Sequence, residues 1–147
     1  MRTLAIDPGG KRVGLAMSDA GAQYATPFDV LQVGNLDQAT SAILKIIDDE
    51  GVQRIIVGLP LNMDGTSGPA VKQYADWGKS IQAKSGIPVL FVDERLSSFA
   101  AEQVMIDRKR AGEKLTRGRK KQQLDAVAAA GFLQEFLDGN LAAIEMG

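Results

Sequence analysis

The chain contains no cysteine and no histidine. Without cysteine there are no disulfides, no thiolate nucleophile and no cysteine-bound zinc. Without histidine there is no imidazole base, no Ser-His-Asp triad and no histidine-held metal. Aromatic residues make up 5% of the 147, with Trp77 the single tryptophan. Phe91, Phe132, Phe136 and Trp77 fall at core-like positions, so no aromatic platform for stacking single-stranded bases is expected. No apolar run approaches the ~18 residues of a membrane span. The opening Met1-Arg2-Thr3-Leu4-Ala5-Ile6-Asp7 meets an acid too early for a signal peptide, which gives a cytoplasmic expectation and no membrane partner.

The chemistry that remains must come from carboxylates, lysine, serine, threonine, backbone groups or a hard cation held by oxygen. That donor set favours Mg²⁺ or Mn²⁺ over zinc. The length is that of one domain, expected to span residues 1–147. Hydrophobic residues are 45% and charged residues 24%, an ordinary globular balance.

Neither sign of charge dominates, with 17 basic and 18 acidic residues, but the distribution is uneven. Residues 1–107 hold 9 basic and 13 acidic side chains, 108–121 hold 8 basic and one acidic, and 122–147 hold four acidic and none basic. A concentrated net charge of +7 over 108–121 is either a solvated surface or the docking point of an anionic partner.

Thr3–Asp7 reads as a short strand stopped by Asp7-Pro8-Gly9-Gly10, and Arg12–Ser18 as its hairpin partner. Tyr24–Val33 offers a third strand whose Pro27 suits an edge or bulge. Leu36, Ala39, Ile43, Ile46 and Ile47 then recur at helical spacing until Gly51. Arg54–Leu59 is a near-continuous apolar strand of the kind buried on both faces. A polar loop from Pro60 to Pro69 precedes a helix over about Ala70–Lys84, and Pro88–Val92 is a further buried strand. A helix capped by Ser97 or Ser98 is expected through about Asp107. Gly112 and Gly118 break the basic segment, and a last helix runs from about Lys121 to Leu137. The order βββαβαβαα gives an α/β domain, a mixed sheet flanked by helices.

Three acids stand out. Asp7 ends the first strand and Glu94 follows the last, where ligands of open α/β sheets gather. Either is equally readable as a turn or cap residue. Asp125 shares a helix face with Ala128, Ala129, Phe132 and Phe136, so its carboxylate needs either a cationic side chain or a metal ion. Three carboxylates suit two hard cations about 3.5–4 Å apart at a phosphodiester. Gly9 and Gly10 permit close approach of a phosphate, and Lys11 and Arg12 stand beside them. The Asp7, Gly9, Gly14 spacing also occurs in the first hairpin of sugar kinases and actin-like ATPases, which hold nucleotide phosphates there.

Four blocks carry a resemblance. Asp7-Pro8-Gly9-Gly10-Lys11-Arg12-Val13-Gly14-Leu15-Ala16, with Ser18-Asp19, resembles the opening motif of the YqgF family, known as pre-16S rRNA nucleases and earlier as Holliday junction resolvases. Gly58-Leu59-Pro60-Leu61-Asn62-Met63-Asp64-Gly65-Thr66 with Gly68-Pro69 looks like its central loop. Asp93-Glu94-Arg95-Leu96-Ser97-Ser98 with Ala101 looks like its second acidic motif, and Lys121, Asp125 and Ala128-Ala129 match its last. Together they span nearly the whole chain in order.

The resemblance implies an RNase H-like fold, a mixed five-stranded sheet of three antiparallel strands then two parallel ones. It implies that Asp7, Glu94 and Asp125 are the catalytic, metal-binding acids, holding Mg²⁺ or Mn²⁺ as two ions. Lys11, Arg12, Asn62, Arg95, Arg117, Arg119, Lys120 and Lys121 are the expected substrate contacts. The expected partner is RNA, pre-16S rRNA within ribosomal precursor particles, ahead of branched DNA. The protein is expected to act as a monomer or homodimer. The alternatives are a Holliday junction resolvase and a non-catalytic RNase H-like nucleic-acid-binding module. An actin-like ATPase is disfavoured, because 147 residues supply one such domain rather than two.

Overall fold

A computed structural model describes residues 1–9, 11–60, 68–93 and 117–144, with the helical backbone alone for 117–125. Five strands form one sheet: β1 (Thr3–Pro8), β2 (Arg12–Ser18), β3 (Ala25–Gln32), β4 (Arg54–Leu59) and β5 (Val89–Asp93). Their spatial order is β3-β2-β1-β4-β5. β1 pairs antiparallel with β2, and β2 with β3. β1 pairs parallel with β4, and β4 with β5. This is the mixed sheet expected from the sequence. Among the described residues three helices accompany it: α1 (Leu36–Glu50), α2 (Pro69–Ser85) and α3 (Arg117–Leu137). None of the described helices is long and apolar enough to cross a membrane.

Local chemistry sets the boundaries. Asn35 caps α1 by accepting from Gln38 N at 2.9 Å, and Gln38 Oε1 accepts in return from Gly34 N at 2.8 Å. Gly51 ends the helix in the left-handed region at φ 66°, open to glycine without a Cβ penalty. Pro69 stands in the first turn of α2, where its missing N–H costs nothing. β3 is the edge strand, and its register with β2 shifts opposite Leu15/Ala16, so that Pro27 and Phe28 fall at the irregularity. β1 runs one residue further than its sequence suggests, because Pro8 still pairs with Val13.

α3 begins at Arg117, four residues earlier than the glycine-based boundary at Lys121. Gly118 lies in its first turn and does not break it. The strong helix formers Arg117, Arg119, Lys120, Lys121 and Gln122 outweigh one glycine there. The helix expected over about 97–107 lies outside the described residues.

Two cores lie on opposite faces of the sheet. One joins Leu4, Ile6, Val13, Leu15, Ile55, Val57 and Phe91 to α1 and α2 through Ile43, Ile47, Val71, Trp77 and Ile81. The other joins Ala5, Ala16, Ile56 and Val92 to Ala129, Phe132 and Leu133 of α3. α2 packs closely on β5: a Cβ on Gly78 would stand 2.7 Å from the Phe91 ring. Trp77 Nε1 donates to Thr40 Oγ1 at 2.7 Å and ties α2 to α1.

Candidate active site at the carboxyl end of the sheet

Side-chain alternation divides β1 between the two cores. Leu4 and Ile6 face α1 and α2, whereas Ala5 faces α3. Asp7, two residues beyond Ala5, is therefore on the α3 face, where it is half-buried. The small side chains Ala5 and Ala16 admit α3 closely below it.

The direction of α3 follows from contacts at its far end. The Arg54 guanidinium carbon lies 4.8 Å from the centroid of the Phe136 ring. Arg54 opens β4 and pairs with Thr3 at the start of β1. Gln134 Oε1 accepts from Ala25 N at 2.9 Å, and its Nε2 donates to Gln23 O at 3.0 Å. Ala25 pairs with Ser18, whose Oγ accepts from Thr3 N at 2.8 Å, again at the start of β1. α3 therefore runs antiparallel to β1. Its basic first half, Arg117 to Asp125, lies toward the strand ends that carry Asp7, Leu59 and Asp93.

Ala5 of β1 and Ala129 of α3 belong to the same core. Asp7 lies two residues beyond Ala5 toward the carboxyl end of β1, about 6.6 Å at the strand rise, and position 125 lies one turn, about 6 Å, toward the start of α3. Glu94 lies outside the described residues. It directly follows Asp93, the last residue of β5, which is buried at 8% exposure.

The expected substrate contacts divide. Arg12 opens β2, and since Asp7 pairs with Gly14 it is the diagonal neighbour of Asp7 on the same face, about 7–8 Å away. Lys11 is exposed in the β1–β2 turn, where its carbonyl accepts from Val33 N at 3.1 Å. Gly9 closes that turn. Its N–H donates to Arg12 O at 2.9 Å, and a Cβ there would stand 3.0 Å from the same oxygen. Arg117, Arg119, Lys120 and Lys121 occupy the opening turns of α3. Asn62 and Arg95 lie outside the described residues.

Sequence reading left Ser18 and Asp19 without a role. Ser18 Oγ also donates to the carbonyl of Asp19 at 3.0 Å. Asp19 Oδ1 accepts from Gln23 N at 2.8 Å and Tyr24 N at 2.9 Å, which closes the β2–β3 turn. The Tyr24 and Gln23 amides hold the Asp19 carboxyl below its ordinary pKa of 3.8. Both residues are structural. An acid followed by a short glycine-containing turn between strands is the signal that would have assigned Asp19.

The mixed five-stranded sheet with its helices is that of the RuvC-type, RNase H-like fold. Thermus thermophilus RuvC in complex with a Holliday junction substrate matches with a TM-score of 0.61 at 18% identity, over 98% of this chain and 100% of its own. The fowlpox virus resolvase in complex with Holliday junction DNA matches at 0.58 and 11%, over 95% and 98%. A family model described as "RuvX: Holliday junction resolvase" matches residues 1–139. A relative from Acidiphilium cryptum bearing the name "Putative pre-16S rRNA nuclease" is 41% identical over 137 residues, 93% of this chain and 84% of its own. One of the same name from Syntrophomonas wolfei is 38% identical over 139 residues, 95% of each chain. The chain belongs to the RuvX (YqgF) family.

Proposed function

We propose that the protein is a metal-dependent nuclease, a single domain over residues 1–147, that hydrolyses phosphodiester bonds and processes the 5′ end of pre-16S rRNA during ribosome assembly. The observation that supports the reading is the half-buried Asp7 near the carboxyl end of β1, with the C-terminal end of α3 anchored at the opposite end of the sheet, an arrangement consistent with a site shared with Asp125. The relatives named as pre-16S rRNA nucleases support the choice of RNA.

The donor chemistry fits Mg²⁺ or Mn²⁺: Asp7 presents carboxylate oxygens at the edge, and no histidine or cysteine exists to compete. Asp7, Glu94 and Asp125 would hold the ions, two in number. When bound, such ions supply activation of a water and neutralisation of the departing oxygen. The chain's own part is positional. Asp7 is fixed by β1 between two hydrogen-bonded neighbours, and Arg12 stands diagonal to it to meet phosphate charge. Lys11, Asn62, Arg95, Arg117, Arg119, Lys120 and Lys121 complete the cationic and polar border. In-line attack of water on phosphorus breaks the bond to O3′ and leaves 5′-phosphate and 3′-hydroxyl ends. Ribosomal precursor particles in the cytoplasm are the partner, and the acting form is a monomer or homodimer.

The test is cleavage of 5′-labelled RNA carrying the pre-16S leader beside a four-way DNA junction, with Mn²⁺ or Mg²⁺. Wild-type and Asp7→Asn protein are run together. RNA cutting that requires metal and is lost in the variant is the expected result. Cutting of the junction alone would replace the RNA reading with a resolvase. Binding of either without cutting would make the protein a non-catalytic module.

A further inference from the structure

Among the described residues, both exposed aromatic rings lie on or beside the edge strand β3. Tyr24, just before the strand, is 68% exposed and Phe28 is 41% exposed. Exposure alternates here: Tyr24, Thr26 and Phe28 are exposed, whereas Ala25 and Pro27 are half-buried, Ala25 against the core under α3. The two rings therefore belong to one row, about 13 Å apart at the strand rise. Phe28 has no partner on β2, because Leu15 pairs with Asp29 and Ala16 with Pro27. The backbone of this edge is closed to an added strand at three places. Pro27 lacks an N–H, Ala25 N donates to Gln134 Oε1 at 2.9 Å, and Val30 N donates to Asp29 Oδ1 at 2.8 Å. A partner must therefore meet the side chains.

The charge around the rings has one sign. Residues 18–44 hold three acids and no lysine or arginine, and 122–147 hold four acids and again no base. Gln134 clasps the two stretches together: its Oε1 accepts from Ala25 N, and its Nε2 donates to Gln23 O at 3.0 Å and to Asp138 Oδ1 at 3.1 Å. Asp19 accepts from Tyr24 N, and the exposed Asp29 follows Phe28. α3 ends here without a basic residue in its last turn, which leaves its carbonyl end negative. Two cations at this end are already engaged, Arg54 by Phe136 and Thr3, and the Met1 ammonium by Ala20 O. Such a surface repels a phosphate backbone. It draws a guanidinium, which lies flat on a ring with a carboxylate beside it.

The rings together expose on the order of 200 Å². Each partner of a stable dimer contributes about 800 Å², so the row suits one short segment rather than a second copy of the chain. We propose that the row from Tyr24 to Phe28 docks an arginine- and lysine-rich polypeptide segment, supplied by a protein of the ribosomal precursor particle. The choice of particle rests on the proposed function; the chemistry of the segment rests on the rings and their acids. Ala25 pairs with Ser18 at the end of the sheet opposite Asp7, so a segment held here leaves the catalytic edge open to RNA.

The experiment titrates the full chain into a fluorescent peptide of alternating arginine and lysine at physiological salt. It compares wild-type protein with Tyr24→Ser/Phe28→Ser, which removes both rings, and Tyr24→Phe/Phe28→Tyr, which keeps them. Removing the rings is expected to weaken peptide binding about fivefold or more, with melting temperature and cleavage of protein-free leader RNA unchanged. Cleavage of the leader within isolated precursor particles is expected to fall alongside. The ring-keeping variant is expected to match wild type throughout. A ring-less variant that binds the peptide as wild type does would overturn the proposal. So would one that loses affinity for RNA instead, or a wild-type dimer that the ring-less variant turns to monomer in sedimentation. Weakened peptide binding with unchanged cleavage in particles would overturn the assigned source of the segment. Should the double variant not fold, Tyr24→Ser alone removes the more exposed ring and gives the same readout. If wild-type protein leaves protein-free RNA uncut, the functional reading fails, while the peptide titration still decides the docking row.

Discussion

Arg54 and Phe136 fix the direction of α3. The guanidinium lies 4.8 Å from the ring centroid while Arg54 Nε donates to Thr3 Oγ1 at 3.1 Å, so one side chain joins the start of β4, the start of β1 and the end of the helix. A cation over an aromatic face is worth about 0.5–2 kcal/mol. Arg54→Ala should therefore lower stability by roughly 1–2 kcal/mol in chemical denaturation, and Phe136→Leu by a similar amount. A double variant no worse than either single one would confirm that the two act as a pair. Fully additive losses would show that they do not.

Thr40 and Trp77 make the corresponding tie on the other face. Thr40 is buried, donates to Leu36 O at 2.9 Å and accepts from the indole N–H. Thr40→Val keeps the shape and removes the acceptor, leaving the buried Trp77 N–H unsatisfied. The expected loss is about 1–3 kcal/mol, with a shift in Trp77 fluorescence. A change under a few tenths would mean that the indole finds another acceptor.

The β2–β3 turn gives a pH-dependent contribution of known sign. Asp19 has its folded pKa below the ordinary 3.8 because backbone amides of Tyr24 and Gln23 hydrogen-bond its charged form. Its stabilisation is complete above the unfolded value and is lost as pH falls through the folded one. Melting temperatures of wild-type and Asp19→Asn protein should converge on acidification below about pH 4. Curves that stay parallel would remove Asp19 as the cause.

Ala22, in the same turn, takes φ 55°, the left-handed region that penalises a Cβ by roughly 1–2 kcal/mol. Glycine removes that penalty and restores about 0.5–1 kcal/mol of unfolded-chain entropy. Ala22→Gly should thus be neutral to slightly stabilising, up to about 1 kcal/mol. A clear loss in melting temperature would contradict the assigned turn.

Affinity for nucleic acid should fall steeply with salt. If four to eight of the basic residues in 108–121 meet phosphates, the log–log slope is about −3 to −7. A slope near zero would exclude that segment as the docking surface.

Much of this organisation was legible in the sequence because period and punctuation agree. The short apolar run Thr3–Asp7 with its hairpin partner Arg12–Ser18, the continuous apolar run Ile55–Val57 and the terminating Gly51 each specify one local structure. Asp125 stood out as a candidate because an acid at the head of the Ala129–Phe132 stripe conflicts with that stripe. The start of α3 was not, because a single Gly118 carries less weight than its helix-forming neighbours. Nor was the turn bond of Gly9, whose N–H donates to Arg12 O, since a glycine-rich pattern does not specify which backbone groups meet. The cross-strand neighbour of Asp7 was beyond the sequence, because Gly14 reaches it only through strand register.

The proposed function requires Asp7 and Asp125 to share one cation site. Calorimetric titration of Mn²⁺ into wild-type, Asp7→Asn and Asp125→Asn protein tests it most directly, with circular dichroism to verify the fold of each. Both variants should lose at least tenfold in Mn²⁺ affinity while staying folded. An Asp125→Asn protein that binds Mn²⁺ as tightly as wild type, beside an Asp7→Asn protein that does not, would contradict the claim.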